Sequence, residues 1–383
     1  MLHISVVVPS FYPQVGGIEK NCLYTYSEIS QRGLNVELHT LAHSESHSIK
    51  ETYAGIHIYR YQAKHNYYPK ISQKTDIIAL HNYQIMPHMF MLLQYAIKKF
   101  LLIRTVPVFL TPHGCFLPEW TDGNIAKKLI KKLFHKYFTS RLVNFTVTHV
   151  RAVSEYEKHK LVEMGIKPEK ITIIHNGVED QPKYTLDKID SDLRHLVQSA
   201  GKYLVQVGRI DHVKNYETVL RALPHTSKDI KYIIVGKIIP NDPYYQKLQK
   251  IIQELSLQNR VIFLGELSGI SKYYVIDNSI IMVHMSKSES FGNTVKEALV
   301  RGIPCIVANN SNLKYLVHDN ITGYLIDTYD HLSLAKKINY IFDYNNKIEY
   351  NQLKSNLKKE TKSKTWAHTA LEVLNLYATY AKK

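Results

Sequence analysis

Ser288–Gly302, SESFGNTVKEALVRG, sets two carboxylates, Glu289 and Glu297, eight residues apart. The apolar segment before them, Ser279–Met285, predicts a β-strand, and the spacing after Gly292 predicts a helix that carries Glu297. Asn293 stands where it can cap that helix, and Gly302 where it can end it. A strand, a glycine turn and a helix start present free backbone N–H groups, and such a site attracts phosphate. A carboxylate one turn into the helix can then accept hydrogen bonds from sugar or ribose hydroxyls. Phosphate donors beside hydroxyl acceptors suit a nucleotide sugar. Two surface glutamates on an ordinary amphipathic helix would give the same local pattern, so the rest of the chain decides between these readings.

Around this stretch, short apolar segments alternate with helical ones. Expected strands in the second half are Tyr203–Val207, Lys231–Val235, Val261–Leu264, Ile280–His284 and Pro304–Ala308, with helices such as Tyr216–Leu223 and Pro243–Leu255 between them. In the first half they are His3–Pro9, Val36–Leu41, Ile56–Tyr61, Asp76–His81, Val106–Thr111, Thr146–Val153 and Lys170–His175. An amphipathic helix, Glu19–Arg32, closed by Gly33, separates the first two. This alternation implies parallel sheets covered on both faces. The charged, apolar-poor segment from Val178 to about Leu196 reads as the connection between two Rossmann-like α/β domains, 1–180 and 181–363. A last helix, Trp366–Tyr380, carries apolar residues at Leu371, Val373, Leu374 and Leu376.

Open parallel sheets bind ligands beyond the carboxyl ends of their strands. After the first strand comes Pro13–Glu19, PQVGGIE, where Gly16 and Gly17 allow close backbone approach. The pattern is not G-x-G-x-x-G, which argues against a dinucleotide site. After Tyr203–Val207 come Gly208, Arg209 and Lys214. Arginine can clamp a diphosphate in bidentate fashion and lysine adds a point charge. Two fixed cations there would favour a departing nucleoside diphosphate as its charge grows. His113 and Gly114 follow the strand ending at Thr111, and a histidine there can donate to a sugar hydroxyl.

Composition narrows the class. A chain of 383 residues predicts two or three domains, and 45% hydrophobic content is that of a folded protein. No apolar run reaches the length of a membrane span; Gln84–Leu93 is short and contains Pro87 and His88. The sequence enters its first strand without a basic leader or cleavage site, and Cys22, Cys115 and Cys305 are odd in number and scattered. Both features lead to the expectation of a reducing cytoplasm. A net charge of +16 calls for anionic partners: nucleotide phosphates, an acidic membrane surface or nucleic acid. No zinc-finger or RNA-binding signature accompanies the charge, so nucleic acid is not expected. Residues 125–143, IAKKLIKKLFHKYFTSRLV, form an apolar stripe at helical spacing with many basic residues and no acid. Such a helix can lie on anionic lipid or pack on its own sheet.

In order along nearly the whole chain, these motifs resemble the GT-B glycosyltransferases of family 4, a large retaining family. The resemblance rests on GGIE at Gly16–Glu19, HG at His113–Gly114, VSE at Val153–Glu155 and HNGV at His175–Val178. It continues in VGR at Val207–Arg209 with Lys214, in the Glu289 to Glu297 spacing, and in TWAHTALEVLNLY at Thr365–Tyr377. It implies two Rossmann-like domains facing across a cleft, with the last helix, 364–383, crossing back to the first. Gly16 and Gly17 would lie against the donor phosphates, and Arg209 and Lys214 would bind the diphosphate. Glu289 would hold the donor sugar hydroxyls and Glu297 the ribose. Backbone N–H groups at Phe291, Gly292 and Asn293 would meet sugar and phosphate, and His113 would contact the sugar near the reacting carbon. Ser154 and Asn176 would shape the cleft wall and hinge.

The implied chemistry is hexosyl transfer from a UDP- or GDP-sugar to a glycan or lipid-linked acceptor, with the anomeric configuration retained and no enzymatic nucleophile. A nucleotide-sugar epimerase of the same fold is the alternative. No cofactor or metal is expected: Asp190 and Asp192 lie in the supposed linker as a solvated charge run, and no His/Cys cluster has metal spacing. The chain departs from the family pattern after Ala308, where Lys314–Tyr315 replaces the usual segment beside the donor.

Overall fold

The structure, a computed structural model, describes residues 2–14, 16–42, 49–62, 69–83, 87–114, 125–179, 184–343, 346–360 and 364–381. The chain divides into two compact units, Met1–Gly177 with Lys364–Lys383, and Val178–Ser363. Cys115 and the expected boundary at 180 and 181 lie outside the described residues.

The first unit is built on eight strands: β1 (His3–Val7), β2 (Asn35–Leu41), β3 (Lys50–Tyr53), β4 (Ile56–Tyr61), β5 (Ile77–His81), β6 (Val108–Thr111), β7 (His149–Ala152) and β8 (Ile171–Ile173). Their order is β3-β4-β2-β1-β5-β6-β7-β8. All five residues of β1 are buried, as expected where helices cover both faces of a parallel sheet. β3 is the exception to the parallel pattern and was not foreseen. It pairs antiparallel with β4 through a tight turn at Ala54 and Gly55, both in the left-handed region.

Residues expected as one strand, Thr146–Val153, divide. Ser140–Thr146 is helical and only His149–Ala152 joins the sheet. The basic stretch is a helix, Ile125–Phe134, then a π-helical turn, His135–Thr139, which leads into that second helix. The last helix, Trp366–Ala381, packs on Gly17–Gln31, with Ala370, Val373 and Tyr377 in the core of this unit. Gly177 permits the approach: a Cβ there would lie 2.4 Å from the backbone nitrogen of Trp366.

The second unit carries β9 (Tyr203–Val207), β10 (Lys231–Val235), β11 (Val261–Phe263), β12 (Ile281–His284), β13 (Cys305–Ala308) and β14 (Gly323–Ile326), in the order β11-β10-β9-β12-β13-β14, all parallel. β14 was not expected. The supposed linker also needs correction. Asp190 caps a helix, Ser191–Ala200, accepting from the backbone N–H groups of Asp192 and Leu193 at 3.0 Å each, and Val197 and Ala200 join the core. Asp190 is therefore a helix cap and not part of a free charge run.

In each sheet the chain winds outward from one strand in one direction and then in the other. The reversal falls between β1 and β5 in the first unit and between β9 and β12 in the second. Ligand crevices of open α/β sheets open at such reversals.

Candidate functional site

In the second unit, β9 ends at Val207 and the chain turns through Gly208 and Arg209. The Tyr216 hydroxyl clamps this turn by donating to the carbonyls of Gly208 (2.9 Å) and Arg209 (3.2 Å). Asp211 then caps a short 3-10 turn, His212–Lys214, accepting from the N–H groups of Val213 and Lys214. That cap fixes the backbone of Lys214, whose ammonium donates to Glu289 Oε1 at 2.5 Å. Glu289 follows the neighbouring strand, β12, so the reversal point brings the two together. Arg209 is held apart from them, two-thirds exposed and paired with Asp211 at 3.1 Å.

Glu289 has a second partner that sequence reasoning missed. His284, the last residue of β12, places Nε2 2.8 Å from Glu289 Oε1. Burial holds His284 below the ordinary histidine value despite the pull of Glu289. A neutral ring donating from Nε2 satisfies this contact, and Nδ1 has no hydrogen-bond partner among the described residues. Burial pushes the Glu289 carboxyl up, but the Lys214 ammonium and the His284 hydrogen bond outweigh it and hold the acid well below the usual carboxylate range. Glu289 is thus a carboxylate at neutral pH, fixed by two donors.

The segment that departs from the family pattern supports the same loop. The Ser311 hydroxyl accepts from Glu289 N–H at 3.0 Å, Asn312 N–H donates to the Glu289 carbonyl at 3.1 Å, and Asn312 Nδ2 donates to the Phe291 carbonyl at 2.6 Å. Lys314–Tyr315 lies in a short helix, Leu313–Leu316, directly after these contacts.

Gly292, not Asn293, occupies the cap position of the helix Asn293–Val300, with φ 88. Only glycine adopts that conformation freely, and a Cβ there would lie 3.0 Å from Leu316 Cδ1. Asn293 is the first helical residue instead. Gly302 ends the helix as expected, at φ 75, with its N–H on the Leu299 carbonyl and Ile303 N–H on the Ala298 carbonyl. Within the helix, Glu297 is buried and accepts from Lys272 Nζ at 2.6 Å. Lys272, on the helix Gly269–Asp277, is a second residue missed from the sequence.

The first unit holds the other expected residues. Gly16 and Gly17 follow β1, with Gly16 as the extended cap of the helix Gly17–Gln31 and the Ser10 hydroxyl donating to Glu19. His113 lies just past β6 at φ 52, buried, and its Nε2 is 2.9 Å from His81 Nδ1. His81 Nε2 meets the Tyr26 hydroxyl at 2.8 Å, and Tyr26 meets the Tyr377 hydroxyl at 2.9 Å. A buried relay thus runs from the last helix to His113. Burial, reinforced by the positive Arg151, pushes His113 down to about 3, so its ring is neutral.

The turn that carries His113 is held by Glu157, also missed from the sequence. Glu157 Oε1 accepts from Gly114 N–H at 2.5 Å and Oε2 from Val153 N–H at 2.7 Å. Burial raises this carboxyl to about 7, against the pull of those N–H groups and of Arg151. Ser154 caps the helix Glu155–Glu163, accepting from Glu157 N–H. Asn176 accepts from Asn21 Nδ2 at 2.6 Å and from buried Arg151 at 3.3 Å. Among the described residues, no group of three or more His, Cys, Asp or Glu is placed to hold a metal ion.

Comparison with known proteins follows the same division. Residues 188–360 match the family model described as Glycosyl transferases group 1, and residues 15–181 match Glycosyltransferase Family 4. N-acetyl-alpha-D-glucosaminyl L-malate synthase of Bacillus anthracis is 23% identical over 341 residues, covering 85% of this chain and 84% of that relative. Alpha-monoglucosyldiacylglycerol synthase of Streptococcus pneumoniae is 22% identical over 340 residues, covering 85% and 75%. The crystal structure of Anabaena HepE in complex with UDP and glucose matches with a TM-score of 0.78 at 19% identity, covering 99% of this chain and all of that one, a likeness of fold.

Proposed function

The chain belongs to the GT-B glycosyltransferases of group 1 and family 4, and we propose that it moves a hexose from a UDP- or GDP-sugar to a glycan or lipid-linked acceptor, retaining the anomeric configuration. The observation that carries this reading is the Lys214–Glu289–His284 cluster at the reversal between β9 and β12, beside the Gly292 turn. Names and contents of related proteins agree with it: two relatives are named for a glucosaminyl and a glucosyl product, and a structural neighbour holds UDP and glucose.

On this proposal the second unit, 181–363 in the sequence division, binds the donor, and the first, 1–180 with 364–383, serves the acceptor. Lys214 and Arg209 take the diphosphate, the latter by swinging from Asp211. Glu289, already a carboxylate, accepts from sugar hydroxyls, and Glu297 from the ribose. N–H groups of Phe291, Gly292 and Asn293 meet sugar and phosphate, and Gly16 and Gly17 lie against phosphate. His113, neutral, donates to the sugar. The acceptor hydroxyl attacks the anomeric carbon from the face the diphosphate leaves, and a diphosphate oxygen takes its proton. Lys214 and Arg209 supply the positive charge that the leaving group requires, so no metal is invoked. The setting would be polysaccharide, lipopolysaccharide or glycolipid synthesis in the cytoplasm, with 125–143 against the inner face of the membrane. No helix among the described residues is long and apolar enough to cross a membrane.

A thermal-shift panel of UDP-, GDP-, ADP- and TDP-sugars without added metal tests the donor. A ligand bound by the folded state raises the midpoint. One nucleotide series is expected to do so, with the shift lost in Lys214→Ala and Glu297→Ala. No shift with any series, or undiminished shifts in both variants, would overturn the assignment.

A further inference from the structure

The helix His88–Phe100 is apolar on two opposite faces. One face, with Met91, Leu92 and Tyr95, is buried in its own unit. The other carries Phe90, Leu93, Ile97 and Phe100, at helical spacing, and all four are exposed. The chain then continues the apolar surface through Leu101, Leu102 and Ile103, with Phe100 81% and Leu102 92% exposed. An apolar corner of this kind marks an interaction surface rather than an ordinary exterior.

Its surroundings say what covers it. The helix packs beside Ser140–Thr146, and Lys99 Nζ donates to the Phe145 carbonyl at 3.0 Å, tying the corner to the basic segment. Along that segment Ile130, Leu133 and Phe134 are exposed too. Residues 87–114 and 125–152 contain no Asp or Glu, whereas Lys98, Lys99, Arg104, Lys131, Lys132 and Lys136 lie among them. Glu163, 3.9 Å from Lys132, is an acid at their edge, so the surface is strongly but not purely basic. A second copy of this surface would set cations against cations. An anionic bilayer meets both demands, since the leucines enter the acyl region while the lysines reach back to the headgroups.

We propose that the corner Ile97–Ile103 is the insertion point by which the first unit enters an anionic membrane, with the helices of 125–146 lying beside it at the headgroup level. The inference deepens the membrane reading given above for 125–143 and rests on it. It names the part that penetrates, where that reading needs charge alone.

Cosedimentation with vesicles of phosphatidylglycerol and phosphatidylcholine, against phosphatidylcholine alone, separates the two. Wild type is expected to bind the anionic vesicles. Leu101→Asp/Leu102→Asp is expected to bind about tenfold or more weakly. Both leucines are exposed, so the variant should keep the wild-type thermal midpoint and any nucleotide-sugar shift. Lys131→Glu/Lys132→Glu should also bind more weakly. If the leucine variant binds as wild type while the lysine variant does not, the corner is not inserted, and the surface reading of 125–143 survives alone. If wild type binds no vesicle, both fail. If wild type self-associates by light scattering and the leucine variant is monomeric, with neither bound to lipid, the surface joins two copies and the proposal is overturned.

Discussion

At Glu289 burial favours the protonated acid, and the Lys214 ammonium with the His284 hydrogen bond favours the carboxylate and prevails. Removing the lysine should reverse the balance. Lys214→Ala is expected to lower kcat by about 100- to 1000-fold, the usual loss for a group that stabilises developing charge. It should also move the acid limb of the pH–rate profile upward, because burial of Glu289 then acts with less opposition. A slower variant whose acid limb stays in place would argue that the pair is only structural. Glu157 obeys the opposite sign. Its carboxyl is raised from an ordinary 4.5 to about 7, chiefly by burial. The folded state therefore keeps this proton longer than the unfolded chain, and the stability owed to this group is intact below about pH 4.5 and lost as pH rises to about 7. Glu157→Gln removes that pH dependence and turns an amide N–H toward a backbone N–H. A loss of about 1–3 kcal/mol is expected from the unsatisfied donor. Urea midpoints from pH 5 to 7.5 check both points: the gap between variant and wild type should narrow as pH rises. Lys214, Glu289 and Arg209 could be marked as candidates because each follows a strand end; the structure brings the first two together and leaves Arg209 on Asp211. Lys272, Glu157 and His81 were not, because each acquires its meaning from a partner on another element, and His284, five residues before Glu289, reads in the sequence as the end of a buried strand. Ser154 and Glu157 have the spacing of a capping box, but nothing in that spacing shows the carboxylate reaching Gly114.

Elements show where periodicity suffices and where it does not. Buried parallel strands and the helices between them have strong patterns, and most were found within a few residues. β3 and β14 escaped although strands as short as they are were found: each lies at the edge of its sheet, β3 is largely exposed, and β14 has no long apolar run. The helix Ser191–Ala200 escaped because its charged outer face hid a narrow buried stripe. Asn293 reads as a cap in the sequence because asparagine is a good one. The left-handed turn that Gly292 alone provides displaced it by one residue. Gly292→Ala should therefore be costly on two counts, backbone conformation and the Leu316 contact, at about 1–2 kcal/mol. If the helix start binds donor, the same variant should raise the donor KM several-fold by shifting the Phe291–Asn293 N–H groups. A lower midpoint with an unchanged KM would leave the turn a structural one.

At the scale of the whole molecule the chain builds two units with separate cores, and it enters the second at Val178 and leaves it at Ser363. The alternation of strands and helices made two such units legible. That the last helix belongs to the first of them came from the family resemblance, since its apolar spacing would fit any sheet. Its contribution is now specific. Trp366, Val373 and Tyr377 are buried in the first unit, and the Tyr377 hydroxyl closes the relay through Tyr26 and His81 to His113. Burying side chains of this size contributes about 1.5–3 kcal/mol each, so removing all three costs an amount comparable to the ~5–15 kcal/mol that holds a domain folded. Truncation after Ser363 should thus unfold the first unit while the second, whose core the helix does not enter, stays intact. Amide exchange would show it: protection lost in β1 and β5 and kept in β9 and β12, with calorimetry showing one transition where the full chain has more. Tyr377→Phe is the gentler test. It keeps the packing and breaks the relay, so a near-normal midpoint with slowed transfer would assign the relay to His113, whereas unchanged transfer would leave the helix a purely structural strut.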